Sequence, residues 1–125
     1  MKKLVILVFL LTGTFAFSQN KNTRASLEVD GVCGMCKDRI EKACIKTKGV
    51  KSAVWNVETH ELKLVYNAAK TDLTTIQKGI NAVGHDTKKM KASDEAYSTV
   101  HACCKYRDEA VRAKHKPKNK VKKSK

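Results

Sequence analysis

The chain has 125 residues and a formal net charge of +14, a length that suits one small domain with appendages but not two independent hydrophobic cores. Much of the charge lies in residues 112–125, which hold eight Lys or Arg residues and neither acidic nor aromatic ones. Surfaces that bind single-stranded nucleic acid combine basic charge with aromatic side chains for base stacking, so this charge does not predict a nucleic-acid partner.

The N-terminal segment has the organisation of a secretory signal peptide. Lys2 and Lys3 precede an apolar stretch over 4–17, and small residues stand at the −3 and −1 positions of a cleavage site after Ser18. That stretch is shorter than the roughly 20 residues of a membrane-spanning helix. We therefore expect cleavage of residues 1–18, a linker over 19–24, and a periplasmic or secreted mature protein without a transmembrane span.

The next segment predicts a strand, a loop and a helix. Leu27 and Val29 alternate with polar neighbours, which favours a half-buried strand that ends at Gly31. Residues 35–48 carry apolar side chains at helical spacing, and Gly49 supplies a stop signal.

Two more strands and a second helix follow. Apolar residues alternate on both sides of the connection 58–61, which predicts an antiparallel pair. Thr71 or Asp72 then caps a helix that ends at Gly84, and a weaker strand is predicted over 86–91. The alternating residues are Ala53, Trp55 and Val57 before the connection and Leu62, Leu64 and Tyr66 after it.

This order of elements predicts an α+β fold for residues 25–91. Strand, helix, strand, strand, helix, strand is the ferredoxin-like βαββαβ arrangement, in which two helices cover one face of a four-stranded antiparallel sheet.

A helical extension is predicted over 92–111, followed by a disordered basic tail over 112–125. Ser93 is a candidate cap for a third helix, although its periodicity is broken at Arg107. The apolar positions of that helix are Tyr97, Val100, Cys104 and Val111.

Five cysteines, an odd number, cannot all pair within one chain. The Cys33–Cys36 and Cys103–Cys104 spacings close almost no loop, so disulfides there would stabilise the fold little. Metal binding or redox chemistry explains them better, whereas Cys44, on the apolar face of the first helix, is interpreted as a buried small hydrophobe.

Cys33 and Cys36 are the strongest candidate metal ligands. They lie on a loop that leads into the first helix, and two glycines allow that loop to bring both sulfurs to one point. The helix N-terminus, Lys37 and Arg39 are expected to favour thiolates. A pair of soft thiolates suits Cu(I) or Hg(II), whereas Zn(II) usually takes four ligands.

Three stretches carry a family resemblance: GVCGMCKDRIEKA, GVKSAVWNVETHELKLVYN and INAVGHD. Over about residues 25–91 the chain resembles the heavy-metal-associated domain of copper chaperones, copper-pump N-terminal domains and periplasmic mercury-binding proteins. The resemblance implies a non-enzymatic domain in which Cys33 and Cys36 ligate the metal ion and exchange it with another metal-transport protein.

The same resemblance places Gly84-His85-Asp86 in the loop beside the metal. His85 stands where related proteins carry Lys, Tyr or His, so it is a candidate additional ligand, and the alternative is an exposed loop histidine. Val32 stands where relatives usually carry a Met. That Met packs under the metal loop and does not bind the ion, so its replacement by Val leaves the expected ligands unchanged.

A second group of metal-ligating residues, His101, Cys103 and Cys104, lies outside that domain. On a helix, His101 and Cys104 share a face, whereas Cys103 points about 100° away from Cys104. Three interpretations stay open: a separate metal site, a lid that supplies ligands to Cys33 and Cys36, or a disulfide or simple apolar packing.

The sequence therefore predicts a carrier or buffer of a soft metal ion, with Cu(I) preferred over Hg(II) and Zn(II). The alternative is a thiol-disulfide oxidoreductase that uses the same CxxC. Thioredoxin-like sites are normally faced by a cis-proline, and the only proline is Pro117 in the tail, so the carrier function is preferred.

Overall fold

The computed structural model of the chain describes residues 22–116. The predicted signal peptide and most of the basic tail lie outside the described residues. Between residues 22 and 116, no helix combines the length and apolar character that crossing a bilayer requires.

The domain follows the predicted order through its first five elements. The first strand begins inside the segment predicted as a linker. The elements are β1 (Thr23–Glu28), α1 (Gly34–Lys46), β2 (Val50–Trp55), β3 (Glu61–Tyr66) and α2 (Leu73–Ala82).

The strands form an antiparallel sheet in the order β1-β3-β2, with β3 in the centre. Leu62 and Leu64 of β3 are fully buried because alternate residues of this strand face the helices. Ile40 of α1 and Ile76 of α2 are also fully buried in the same core. The two helices and one sheet face thus bury the apolar positions that the sequence pattern indicated.

The predicted fourth strand over 86–91 is wrong as a strand, because the structure has only an isolated antiparallel bridge between Val29 and Thr87. The Thr87 N–H donates at 2.8 Å to the Met90 carbonyl, and the Met90 N–H donates at 3.1 Å to Thr87 Oγ1. These two bonds close a local turn, so the backbone leaves the edge of β1 after one bridge.

The extension is not one continuous helix but three short pieces. They are α3 (Asp94–Ser98), a 3₁₀ turn (Ala102–Cys104) and α4 (Glu109–His115). The Ser93 side chain caps α3 as predicted, by accepting from the Ala96 N–H at 3.1 Å. The expectation of disorder is wrong for 112–115, which belong to α4.

Helix α3 ends early because other groups bond its last carbonyls. Thr99 Oγ1 donates to the Ala96 carbonyl at 2.7 Å. The Lys105 ammonium donates to the carbonyls of Tyr97 at 3.0 Å and Ser98 at 3.1 Å. A basic side chain thus caps the C-terminus of α3 and folds the following chain back onto the domain.

Tyr106 and Arg107 form a clamp that fixes the extension to the loop after α2. Tyr106 Oη donates to the Gly84 carbonyl at 2.6 Å and accepts from the Asp86 N–H at 2.9 Å. Arg107 donates to both carboxylate oxygens of Asp86, at 2.8 and 3.1 Å. Burial would raise the pKa of Asp86, but the Arg107 guanidinium holds it below its ordinary value.

Gly84 lets the extension approach this loop closely. Its φ of +93° favours glycine, and a Cβ there would lie 2.6 Å from the Ala96 carbonyl oxygen and from Val100 Cγ2. Both contacts belong to the extension, so the loop and the extension pack as one body.

We predict that Arg107→Ala loosens the extension. The variant leaves the Asp86 carboxylate, whose side chain is only 8% exposed, without its guanidinium partner, at a cost of about 1–3 kcal/mol in the free energy of unfolding. Hydrogen exchange should accelerate for the amides of residues 92–106, and chemical denaturation gives the free energy. Arg112→Ala is the control, since this exposed arginine has no salt bridge to the described residues. Equal exchange in both variants would contradict the clamp.

Candidate metal centre

Cys33 and Cys36 lie at the N-terminal end of α1. Cys33 is the N-cap residue in an extended conformation, but its side chain does not cap the helix, so Sγ stays available. Cys36 in the first turn is fully buried, and its Sγ accepts a hydrogen bond from the Val32 N–H at 3.5 Å. The two sulfurs are 3.6 Å apart. The first turn of the helix also directs partial positive charge toward them.

Trp55 supports the loop that carries these cysteines. Its indole N–H donates to the Val29 carbonyl at 3.0 Å, and the ring packs against Gly31. A Cβ at Gly31 would lie 2.9 Å from the indole ring and 3.0 Å from Cys36 Cβ. Glycine is therefore required there for the loop to pass between the tryptophan and the helix.

The extension brings two more thiols to the same place. Cys104 Sγ lies 3.1 Å from Cys33 Sγ and 3.6 Å from Cys103 Sγ. Cys103 Sγ in turn lies 3.4 Å from Met35 Sδ. Cys33, Cys103 and Cys104 form a group whose sulfurs all lie within 4.8 Å of one another, a spacing at which they can hold a metal ion. With Cys36, whose sulfur lies 3.6 Å from that of Cys33, these residues form one sulfur cluster: Cys33, Met35, Cys36, Cys103 and Cys104.

Exposure varies across the sulfur cluster. Cys36 and Cys104 are fully buried, Cys33 is partly buried, and Cys103 is exposed. Met35 beside Cys103 is 44% exposed. The cluster thus has a buried inner side and an outer side that a small ion or an incoming thiol can reach.

The pKa values of the thiols favour one thiolate in the cluster. Burial would raise the pKa of Cys33, but hydrogen bonds from Cys104 and then Cys36 hold it below its ordinary value. Burial raises the pKa of both Cys36 and Cys104. A metal ion that binds here therefore displaces thiol protons as it replaces the hydrogen bonds between sulfurs.

The two basic side chains expected to favour the thiolate have other partners. Lys37 Nζ donates to the Trp55 carbonyl at 2.8 Å, and Arg39 Nη2 donates to the Val83 carbonyl at 2.6 Å. The lowered pKa of Cys33 instead arises from the neighbouring thiols and the backbone.

His85 does not join the sulfur cluster, and it is not an exposed loop residue either. The side chain is fully buried, its Nδ1 lies 2.8 Å from the Asp30 carbonyl, and its ring stacks on Tyr106 at a centroid distance of 5.3 Å. Nε2 is buried without a hydrogen-bond partner among the described residues. Burial lowers the pKa of His85, which favours a neutral ring that packs beneath the clamp.

His101 and Cys44 also lie apart from the sulfurs. His101 is exposed and precedes the 3₁₀ turn, outside the group of metal-capable thiols found in residues 22–116. Cys44 is fully buried in the core beside Ile40, as predicted.

Sequence reasoning missed Met35 and the clamp residues. Met35 lies between the two CxxC cysteines but has no Met-rich neighbourhood, so only the fold reveals that it contacts Cys103. The one sequence feature that pointed to the clamp was the break in helical periodicity at Arg107, which directly follows Tyr106 and lies close to Cys103 and Cys104.

Comparison with known proteins agrees with the fold of the domain that carries Cys33 and Cys36. The family profile described as the heavy-metal-associated domain matches residues 26–86. The copper chaperone CopZ of Staphylococcus epidermidis is 30% identical over 67 residues, which cover 53% of this chain and 98% of the chaperone. A solved structure of a CopZ metallochaperone matches with a TM-score of 0.51 and 30% identity, covering 52% of this chain and 98% of that one.

A copper-exporting P-type ATPase of Staphylococcus haemolyticus is 33% identical over 73 residues. The match covers 58% of this chain but only 9% of the ATPase. The profile match ends before the extension, so Cys103 and Cys104 lie outside the matched domain.

We predict that Cys44 reacts far more slowly with iodoacetamide than Cys33 at neutral pH. Burial raises the pKa of Cys44 from 9.0 to about 12, which lowers its thiolate fraction about a thousandfold. Pulse labelling followed by peptide mass spectrometry measures both sites. In denaturant the two should label alike, and equal labelling of the folded protein would disprove this difference in environment.

Proposed function

This chain belongs to the heavy-metal-associated domain family, and from that membership we propose that it is an exported carrier or buffer of Cu(I). Domains of this family bind metal ions and are not enzymes. The observation that carries the proposal is the pair of sulfurs 3.6 Å apart at the N-terminal end of α1.

The chemistry of the donors supports a soft monovalent ion. Every candidate ligand in the sulfur cluster is a thiol or thioether, and such donors prefer Cu(I) to hard cations. Hg(II) and Zn(II) are the competing ions, and Zn(II) requires a complete four-ligand shell in sites of structural type. The copper chaperone and copper-exporting ATPase among the relatives also favour copper.

Transfer would proceed by ligand exchange between thiolates. Cys33 and Cys36 hold the ion, a thiolate of the acceptor enters from the exposed side of the sulfur cluster, and one donor sulfur then leaves as a thiol or thiolate. No electron is transferred, and each sulfur–metal bond that breaks is replaced by another. The partner is thus a metal-transport protein with its own cysteine pair.

Cu(I) binding tests this proposal through competition with a chromophoric Cu(I) chelator. Replacing both Cys33 and Cys36 by Ser should weaken binding by more than about a hundredfold, because loss of even an outer-shell partner typically costs ten- to a hundredfold. Cys44→Ala is the control, since it removes a thiol outside the sulfur cluster. Unchanged affinity in the double variant would refute the assignment of these ligands.

The same measurement separates the carrier from the thiol-disulfide oxidoreductase. Both functions need Cys33 and Cys36, but only the carrier requires tight Cu(I) binding by the parent protein.

We further predict export. A bacterium that expresses the full chain should release, or hold in its periplasm, a protein that begins at Gln19, because small residues flank a cleavage point after Ser18. N-terminal sequencing of the fractionated protein measures this. A cytoplasmic protein that retains residues 1–18 would refute the proposed location.

A further inference from the structure

We propose that Cys104 is a third thiolate ligand of the ion held by Cys33 and Cys36, which turns an open two-sulfur site into a closed three-sulfur shell. This inference rests on the proposed function and adds to it. Cys104 belongs to the extension, beyond the residues 26–86 that match the family.

The sulfur distances carry the proposal. Cys104 Sγ is 3.1 Å from Cys33 Sγ, closer than Cys36 Sγ at 3.6 Å. With a metal–sulfur bond of about 2.3 Å, three thiolates around one ion lie roughly 4 Å apart. Cys104 therefore needs to move by only about 1 Å relative to Cys33 to share an ion with it.

Cys44 shows what a cysteine without such a role looks like in this chain. Both Cys44 and Cys104 are fully buried. Cys104 contacts the sulfurs of Cys33 and Cys103, whereas Cys44 has no sulfur contact among residues 22–116. Apolar packing accounts for Cys44, but it does not account for a buried thiol aimed at two others.

The fold holds Cys104 at this place from both sides. Its N–H donates to the His101 carbonyl at 2.8 Å within the 3₁₀ turn, and its carbonyl accepts from the Tyr106 N–H at 2.7 Å. Tyr106 and Arg107 then anchor the chain to Gly84 and Asp86 through the clamp. The position of the thiol is thus built into the structure, and a mobile segment is not needed to deliver it.

Cys103 does not have the same role. It is exposed, and its sulfur lies 3.4 Å from Met35 Sδ and 3.6 Å from Cys104 Sγ. Although it lies within 4.8 Å of Cys33, it stands on the outer side of the sulfur cluster, where an acceptor thiolate would enter.

A closed shell changes how the ion is released. With two ligands, an incoming thiolate adds to an open position, but with three it must first displace one of them. Because the clamp fixes the extension, that thiolate must displace a ligand that the fold holds in place. Release of Cu(I) is therefore slower in this protein than in a domain that holds the ion by the CxxC pair alone.

X-ray absorption spectroscopy of the Cu(I)-loaded parent protein tests the shell directly, and requires no variant. We expect three sulfur neighbours at one copper ion. Two sulfur neighbours would overturn the proposal whether or not any variant folds.

Matched serine variants then identify the third ligand. Cys104→Ser keeps the size of the side chain but removes the soft donor, and should reduce the sulfur count to two, weaken Cu(I) binding at least about tenfold, and speed transfer to a chelator. Cys103→Ser should leave the sulfur count at three and the affinity within about threefold of the parent, because we place it outside the shell. Circular dichroism and thermal denaturation of the apo proteins check folding.

Two results would overturn the assignment of Cys104. One is a sulfur count and affinity in Cys104→Ser equal to those of the parent, and the other is an equal loss in Cys103→Ser. Neither would affect the proposed function, which is tested separately by the Cu(I) affinities of the parent protein and of the Cys33 and Cys36 double variant.

Discussion

The bidentate ion pair between Arg107 and Asp86 fastens the extension, which carries Cys103 and Cys104, to the domain that carries Cys33 and Cys36. Asp86 follows α2 in the matched domain, and Arg107 lies three residues after Cys104 in the extension. Tyr106 adds hydrogen bonds to both sides of the same loop and covers the buried ring of His85. Partly buried, geometrically matched pairs of this kind fix orientation better than isolated surface pairs do. The position of the Cys104 thiol in the extension is therefore fixed as firmly as the positions of Cys33 and Cys36 in the domain.

Local patterns were sufficient to predict most of the domain. Each of these elements buries one face, and that face is visible in the sequence as alternation in β3 and as helical spacing in α1 and α2. The apolar pattern gave wrong predictions where side chains form hydrogen bonds with backbone groups that a strand or helix would otherwise use. Thr87 bonds Met90 instead of extending a fourth strand, and Lys105 bonds the carbonyls that end α3. Such long-range or side-chain bonds leave no periodic trace in the sequence.

Among the candidate ligands, too, local contacts could be predicted from the sequence and long-range contacts could not. The closeness of the Cys33 and Cys36 sulfurs could be predicted from their spacing, because both residues lie where a short loop enters a helix. The contact between Cys33 and Cys104 spans 71 residues, and it depends on a turn of the chain that no local pattern encodes. The position of His85 apart from the sulfur cluster has a related reason, since Tyr106, which covers its ring, belongs to the extension and lies outside the matched family domain.

The N-terminus of α1 affects which charge the site stabilises. Cys33 occupies the N-cap position, and backbone amides of the first turn lie close enough to its sulfur to lower its pKa. A Cu(I) ion bound by two thiolates, as proposed above, would form a complex of net negative charge, and a third thiolate would make it more negative. An oxyanion at a helix N-terminus is stabilised by the same amides. The amides of α1 would therefore stabilise the proposed metal–thiolate complex, which is an anion although the ion itself is a cation.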